Sequence, residues 1–335
     1  VGLDERALVE ADRRIQADRV GVYSLLVVRH GRLAWERYYG GYTPDDAFAI
    51  QSVTKSVVAA LVGIAVGDGR LQLDQTIGEL LHQRLAAVAD PRTRVITVAQ
   101  LLTMTAGFDW HDPGDYYRVT GEDDWVRAIL ATPLAHKPGA TFTYNFGCSQ
   151  LLSAIVAAVT GHSAAAFATA RLFVPLGIEP AGWPTDPQGN PIGATGLELT
   201  ARDMAKLGLL YLNEGRWADV QLAPATYIAV STTPQSPGGD PEDAAYGYHW
   251  WVTSVAGDAA FFAAGYGGQY IYVVPARELV VVTTARWDLP PAETLELRPL
   301  IEAVVVPAAR DEGSVGFGGV GPAHVGDSTA THNGA

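Results

Sequence analysis

Strand-like stretches lie at both ends of this chain and helical stretches fill the middle, and that distribution restricts the fold more than any other feature. Residues 20–28 and 33–39 are β-branched and aromatic runs around the turn Arg29-His-Gly-Arg32. Similar runs return at 247–254, 259–264, 269–274 and 279–285, with Gly257-Asp258 and Pro275-Ala-Arg-Glu278 as turns between them. The interval reads as helices at 124–131, 149–160, 164–173 and 200–212, separated by Pro/Gly-rich loops at 180–196 and 234–241. Further helices are expected over 3–17 and 292–306. Strands need partners for their backbone groups, and one antiparallel sheet supplies them most economically. The expectation is an α+β fold of α/β-sandwich type: an antiparallel sheet from N- and C-terminal strands, flanked by helices, with a mostly helical domain inserted. Residues 1–75 and 242–308 would make the sheet domain and 76–241 the helical domain. The stretch 309–335 is Gly-rich, polar and aperiodic, which reads as a disordered tail.

Composition narrows the function classes. A net charge of −13 and the lack of a basic run speak against nucleic acid and anionic membrane surfaces. A single cysteine, Cys148, excludes an intrachain disulfide and a cysteine-rich metal site. The eight histidines form no ligand pair, so no metal or organic cofactor is expected. No apolar run nears the roughly 20 residues that span a bilayer. Val1 is not a methionine, so an upstream segment is part of the expectation, and the compartment, cytoplasmic or exported, stays open. Composition does not fix the oligomeric state.

Chemistry enters at Phe48-Ala-Ile-Gln-Ser-Val-Thr-Lys-Ser-Val-Val-Ala-Ala-Leu-Val-Gly63. Val57, Val58, Leu61, Val62, Ala65 and Val66 recur at helical spacing, which puts Ser52 and Lys55 on one face of a first turn. A helix start offers free N–H groups and partial positive charge beside the serine. An amine kept neutral by desolvation can take the hydroxyl proton and activate a weak nucleophile. The chain has three lysines and eleven serines, so a chance Ser-x-x-Lys is expected about 0.1 times. A Ser/Thr-rich helix start with a solvated lysine is the plainer reading of the pair alone.

Two other stretches bear on it. Residues 108–121 form a loop dense in aromatics and acids, and Trp110, Tyr116 and Tyr117 suit the rim of a substrate cleft. His249, between strand residues and beside Trp250 and Trp251, suits core packing.

Three motifs then stand in order: Ser52-Val-Thr-Lys55; Tyr144, after Pro138-Gly-Ala-Thr-Phe-Thr; and Ala263-Ala-Gly-Tyr-Gly-Gly-Gln269. With Leu101-Leu-Thr-Met-Thr-Ala-Gly107, Pro175-Leu-Gly-Ile178 and Asp203-Met-Ala-Lys-Leu-Gly208, they resemble the serine β-lactamase and penicillin-binding-protein superfamily. The resemblance covers residues 20–306 and is strongest to the class C-like esterase branch that includes the nylon-oligomer hydrolases. It implies the β-lactamase/transpeptidase-like fold and an acyl-enzyme mechanism. Ser52 would be acylated, Lys55 would hold its proton, and Tyr144 would serve as base or relay. The backbone N–H groups of Ser52 and Gln269 would form the oxyanion hole.

This chain departs from the family pattern twice. The second motif reads Tyr144-Asn145-Phe146 instead of Tyr-x-Asn, so the substrate-contacting amide falls to Asn145, one place early. The third reads Tyr266-Gly267-Gly268 and lacks the cation and hydroxyl that hold a carboxylate; these three would line the substrate edge. The reading is a serine hydrolase acting on small-molecule esters or linear amides. A β-lactamase or D-Ala-D-Ala peptidase is the alternative within enzymes, and a non-catalytic binding module on the same fold is the alternative outside them.

Overall fold

The computed structural model of the chain describes residues 2–18, 21–85, 90–289 and 295–310. The stretch 311–335, expected as a disordered tail, lies outside the described residues, whereas Ala309 is buried and bridges Leu3. Strands β1 (Val22–Arg29) and β2 (Arg32–Tyr38) form the expected hairpin. Two short ribbons follow, β3 (Ala47–Ala49) with β4 (Glu198–Thr200), and β5 (Arg216–Trp217) with β6 (Val220–Gln221). The remaining strands are β7 (Ser236–Gly239), β8 (Ala244–Tyr246), β9 (Trp251–Val255), β10 (Asp258–Gly265), β11 (Gln269–Val274) and β12 (Leu279–Ala285).

The main sheet runs β2-β1-β12-β11-β10-β9-β8-β7, with every pairing antiparallel from β1 through β12 to β9. N-terminal β1 lies against C-terminal β12, as the strand distribution predicts. Ser24 Oγ and Thr284 Oγ1 close that seam with a buried hydrogen bond of 2.6 Å. Every residue of β12 is buried, which requires cover on both faces of the sheet. On one face, Ile271 and Val280 meet the Ala201–Leu212 helix at Gly208. On the other, Phe262 lies under the Arg298 guanidinium and the Tyr272 hydroxyl donates to Glu302 from the C-terminal helical segment.

Local differences from expectation have simple causes. Residues 114–120, read as part of a loop, form the helix Gly114–Thr120, whose Asp115 carboxylate accepts from His111 N at 2.7 Å. Ser236–Gly239, inside an expected loop, pairs with β8 at the sheet edge, where short Gly-containing strands are tolerated. The β3–β4 ribbon escaped notice because three residues are too few to show a period of two.

The helix Val53–Gly67 is buried from Val53 through Ala65 and so belongs to the core on all sides. Gly208 shows how tightly such helices sit: a methyl group there would lie 2.5 Å from Val280 Cγ1 and 2.8 Å from Ile271 Cγ2. We therefore expect Gly208→Val to destabilise the fold by about 1–3 kcal/mol through overpacking. An unchanged denaturant midpoint would show instead that this helix lies loosely on the sheet.

Candidate active site

The site is assembled at the entry to the Val53–Gly67 helix. The β3–β4 ribbon and the bond from Ile50 N to Leu197 O at 2.9 Å hold residues 47–50 against 197–200. Gln51 then turns through φ +48°, a left-handed conformation costly for a residue with a Cβ, so the elbow before Ser52 is strained. The Thr195 hydroxyl donates to Gln51 Oε1 at 2.9 Å and braces the turn. Serine at a helix start normally spends its oxygen on capping. Ser52 makes no such bond, and its Oγ instead accepts from Lys55 Nζ at 3.0 Å.

Lys55 is buried and forms no ion pair among the described residues. Its amine also donates to the Ala194 carbonyl at 2.9 Å and lies 4.9 Å from the centre of the Tyr144 ring. Burial lowers its pKa from the ordinary lysine value to about 7, opposed by the negative charge of Asp112. Ala194 is presented by a clamped loop: Gly193 N donates to Gln150 Oε1 at 2.8 Å, and Gln150 Nε2 donates to Asp186 at 3.1 Å. Tyr144 stacks on Trp251 with centroids 5.4 Å apart. Burial raises its pKa, with a hydrogen bond to Ser52 pulling the other way, so the phenol keeps its proton through the neutral range.

These groups open into a cavity of about 450 Å³ lined by Ser52, Lys55 and Tyr144 together with Tyr116, Phe146 and Tyr266. Gln51, Asp112, Pro113, Ala194 and Thr195 complete the lining. Tyr116 and Tyr266 thus lie on the cavity lining.

Four other candidates stand elsewhere. Trp110 is a core residue, 6% exposed, with Nε1 bonded to Asp112 Oδ1 at 2.7 Å and its ring against Gly147. Asn145 is the cap of the Phe146–Thr160 helix. Its Oδ1 accepts from Cys148 N at 2.8 Å, and its Nδ2 donates to Thr143 O at 2.7 Å. Its amide is therefore spent on the backbone, while Phe146 takes the place on the cavity. Gly267 and Gly268 form the β10–β11 turn, at φ +86° and +101°, and line a neighbouring cavity instead.

Gln269 is fully buried opposite Gly265 in the β10–β11 ladder, with Nε2 donating to Ala285 O at 2.6 Å. The residue that reaches the Ser52 side of this hairpin is Tyr266. It follows Gly265, which approaches so closely that a methyl group there would lie 2.5 Å from Ile50 O and 3.1 Å from Gln51 Cβ. Among the described residues, neither the Ser52 nor the Tyr266 backbone N–H donates a hydrogen bond. His249 is core, as expected: its ring bonds Ser149 Oγ at 3.0 Å and Leu102 O at 2.9 Å. Burial and the nearby Lys55 drive its pKa down to about 3.

Residues 6–305 match the family described as Beta-lactamase. The chain belongs to the beta-lactamase family. Within it, the chain is 25% identical over 321 residues to a 6-aminohexanoate-dimer hydrolase of Paenarthrobacter ureafaciens, a match covering 87% of this chain and 79% of that protein. It is 27% identical to esterase EstB of Burkholderia gladioli over 51% of this chain and 49% of the esterase. Two solved structures share the fold. The octameric penicillin-binding protein homologue from Pyrococcus abyssi gives a TM-score of 0.68 at 20% identity, over 89% of this chain and 77% of that one. EstCE1, a hydrolase with promiscuous acyltransferase activity, gives 0.69 at 18% identity, over 84% and 92%. No single helix among the described residues is long and apolar enough to cross a membrane.

The placement of Asn145 is testable. Asn145→Ala should lower stability by about 1 kcal/mol through loss of the cap, and Asn145→Ser, which keeps an acceptor there, should recover most of it. A large rise in KM with unchanged thermal stability would instead return this amide to the substrate.

Proposed function

We propose that Ser52 is the acylated nucleophile through which this beta-lactamase-family serine hydrolase cleaves small-molecule esters and linear amides. The observation that carries the assignment is the Lys55 amine, 3.0 Å from Ser52 Oγ and desolvated to a pKa of about 7. An amine of that basicity is half neutral at pH 7 and can accept the hydroxyl proton as the Ser52 Oγ–carbonyl bond forms. Tyr144 keeps its own proton and lines the same cavity as Ser52, which suits it to relay a proton to the leaving alcohol or amine as the scissile bond breaks. The Ser52 and Tyr266 N–H groups, unspent and flanking the elbow, supply the oxyanion donors, with Tyr266 in the role first given to Gln269. Water then attacks the acyl group, and the same residues run in reverse.

The names of the hydrolase and esterase relatives support ester and amide bonds as the substrate class. The charges in the site support it over β-lactams and D-Ala-D-Ala peptides, whose carboxylate needs a cation. Among the described residues, Lys55 is the only lysine or arginine lining the cavity, and its amine is already committed. Arg298, in the neighbouring cavity, is held by Glu302 Oε1 at 2.8 Å and Glu242 Oε2 at 3.5 Å.

On p-nitrophenyl butyrate, we expect kcat/KM to rise with pH through about 7, because only the neutral Lys55 amine accepts a proton and burial lowers its pKa. Ser52→Ala, Lys55→Ala and Tyr144→Phe should each lower kcat by about a thousandfold, without additivity in the doubles. A fluorophosphonate should label Ser52, seen as an adduct by mass spectrometry; labelling elsewhere, or none, refutes the nucleophile. Turnover of a chromogenic cephalosporin should be negligible beside that of the ester, and the reverse order would refute the substrate class.

A further inference from the structure

The residue before Ser52 stands in a conformation that costs free energy, and a side chain outside the reacting groups holds it there. Gln51 has φ +48°, a left-handed backbone that its Cβ disfavours. Its carbonyl oxygen accepts from Thr54 N, in the first turn of the Val53–Gly67 helix, at 3.0 Å. The peptide between Gln51 and Ser52 is planar and trans, so a carbonyl turned into the helix directs the Ser52 N–H the opposite way. The turn at Gln51 therefore frees that N–H, which donates to no group among the described residues.

One hydrogen bond braces the Gln51 side chain among the described residues: Thr195 Oγ1 donates to its Oε1 at 2.9 Å. Thr195 lines the cavity, yet its hydroxyl is engaged by Gln51 and touches no reacting group. Its loop is firmly placed. Gly193 N donates to the buried Gln150 at 2.8 Å, and a methyl group at Gly193 would lie 2.1 Å from Ser149 O. On its other side Gln51 packs against β10, where a methyl group at Gly265 would lie 3.1 Å from Gln51 Cβ. Tyr266, with the second unspent N–H, follows directly. The conformation of Gln51 thus governs the direction of one donor and its separation from the other.

We propose that Thr195 is a positioning residue: its hydroxyl holds Gln51 in the left-handed turn and so keeps the Ser52 and Tyr266 N–H groups convergent on the oxyanion of the transition state. This rests on the serine-hydrolase reading, and the experiment separates the two. Hydrogen bonds weaken steeply off-axis, so donors aimed at a developing charge lose their effect when their direction drifts.

Thr195→Val keeps the shape of the side chain and removes the bond. With p-nitrophenyl butyrate, kcat/KM should then fall about tenfold, the size of one lost hydrogen bond. The thionoester O-(p-nitrophenyl) thiobutyrate puts sulfur, a weak acceptor, in the oxyanion position, and its kcat/KM should change by less than about twofold. The ester-to-thionoester ratio should fall accordingly, and Thr195→Ser should restore it. In Gln51→Gly the turn forms without strain and the bond is absent, so adding Thr195→Val should leave the ratio unchanged. Equal losses on both substrates, or the same drop in ratio in the Gln51→Gly background, would overturn the proposal. The rate at which a fluorophosphonate labels Ser52, followed by mass spectrometry, gives a readout that needs no turnover, because the phosphoryl oxygen takes the oxyanion position. Labelling should slow about tenfold in Thr195→Val and recover in Thr195→Ser. Labelling of Thr195→Val at the parent rate would remove the positioning role alone. No labelling of Ser52 in the parent protein would remove the serine-hydrolase reading with it.

Discussion

A buried amine without a counter-ion is the constraint on which the rest of this site depends. Transferring an ammonium out of water is costly, and the usual remedy is a paired carboxylate. Among the described residues Lys55 has none; its partners are a serine hydroxyl and a backbone carbonyl. The fold resolves the conflict by letting the amine give up its proton near pH 7, which turns a desolvation penalty into basicity directed at Ser52. A carboxylate in direct contact would restore the charge and remove that basicity.

Keeping the amine in that state takes structure from distant parts of the chain. The helix that carries it is buried from Val53 through Ala65, which keeps the amine desolvated. The carbonyl it meets comes from residue 194, held by Gln150 and Asp186, while the neutral His249 ring packs behind between Ser149 and Leu102. The strained Gln51 turn sets the Ser52 hydroxyl toward the lysine, and the β3–β4 ribbon carries the strain. The sheet contributes through the β10–β11 hairpin, which brings Tyr266 beside the elbow because Gly265 admits the close approach.

The character of the cavity follows from the same economy. Where a carboxylate-binding site would set a cation and hydroxyls, this chain has Tyr266, Gly267 and Gly268, and the glycines are used up by the turn. Phe146 lies on the cavity where an amide was expected, because Asn145 is needed to cap the helix that begins there. The result is a chamber walled by Tyr116, Tyr144, Phe146 and Tyr266, with Asp112 also on its lining.

The sequence by itself determined the elements with local causes. The β1–β2 hairpin, the strands β10 to β12 and the Val53–Gly67 helix announce themselves by periodicity and turn residues. Ser52 and Lys55 share a face because the helix repeat puts i and i+3 together. Tyr144, Tyr116 and Tyr266 were legible through motif order and aromatic density. Only the tertiary structure decided which of two neighbouring residues faces the cavity. Asn145 and Phe146, Trp110 and Asp112, and Tyr266 and Gln269 are each one to three residues apart, and capping, core packing and hairpin register sort them. Ala194 and Thr195 carried no signal at all, since a backbone carbonyl is the same in every residue and its role depends wholly on where the loop is held.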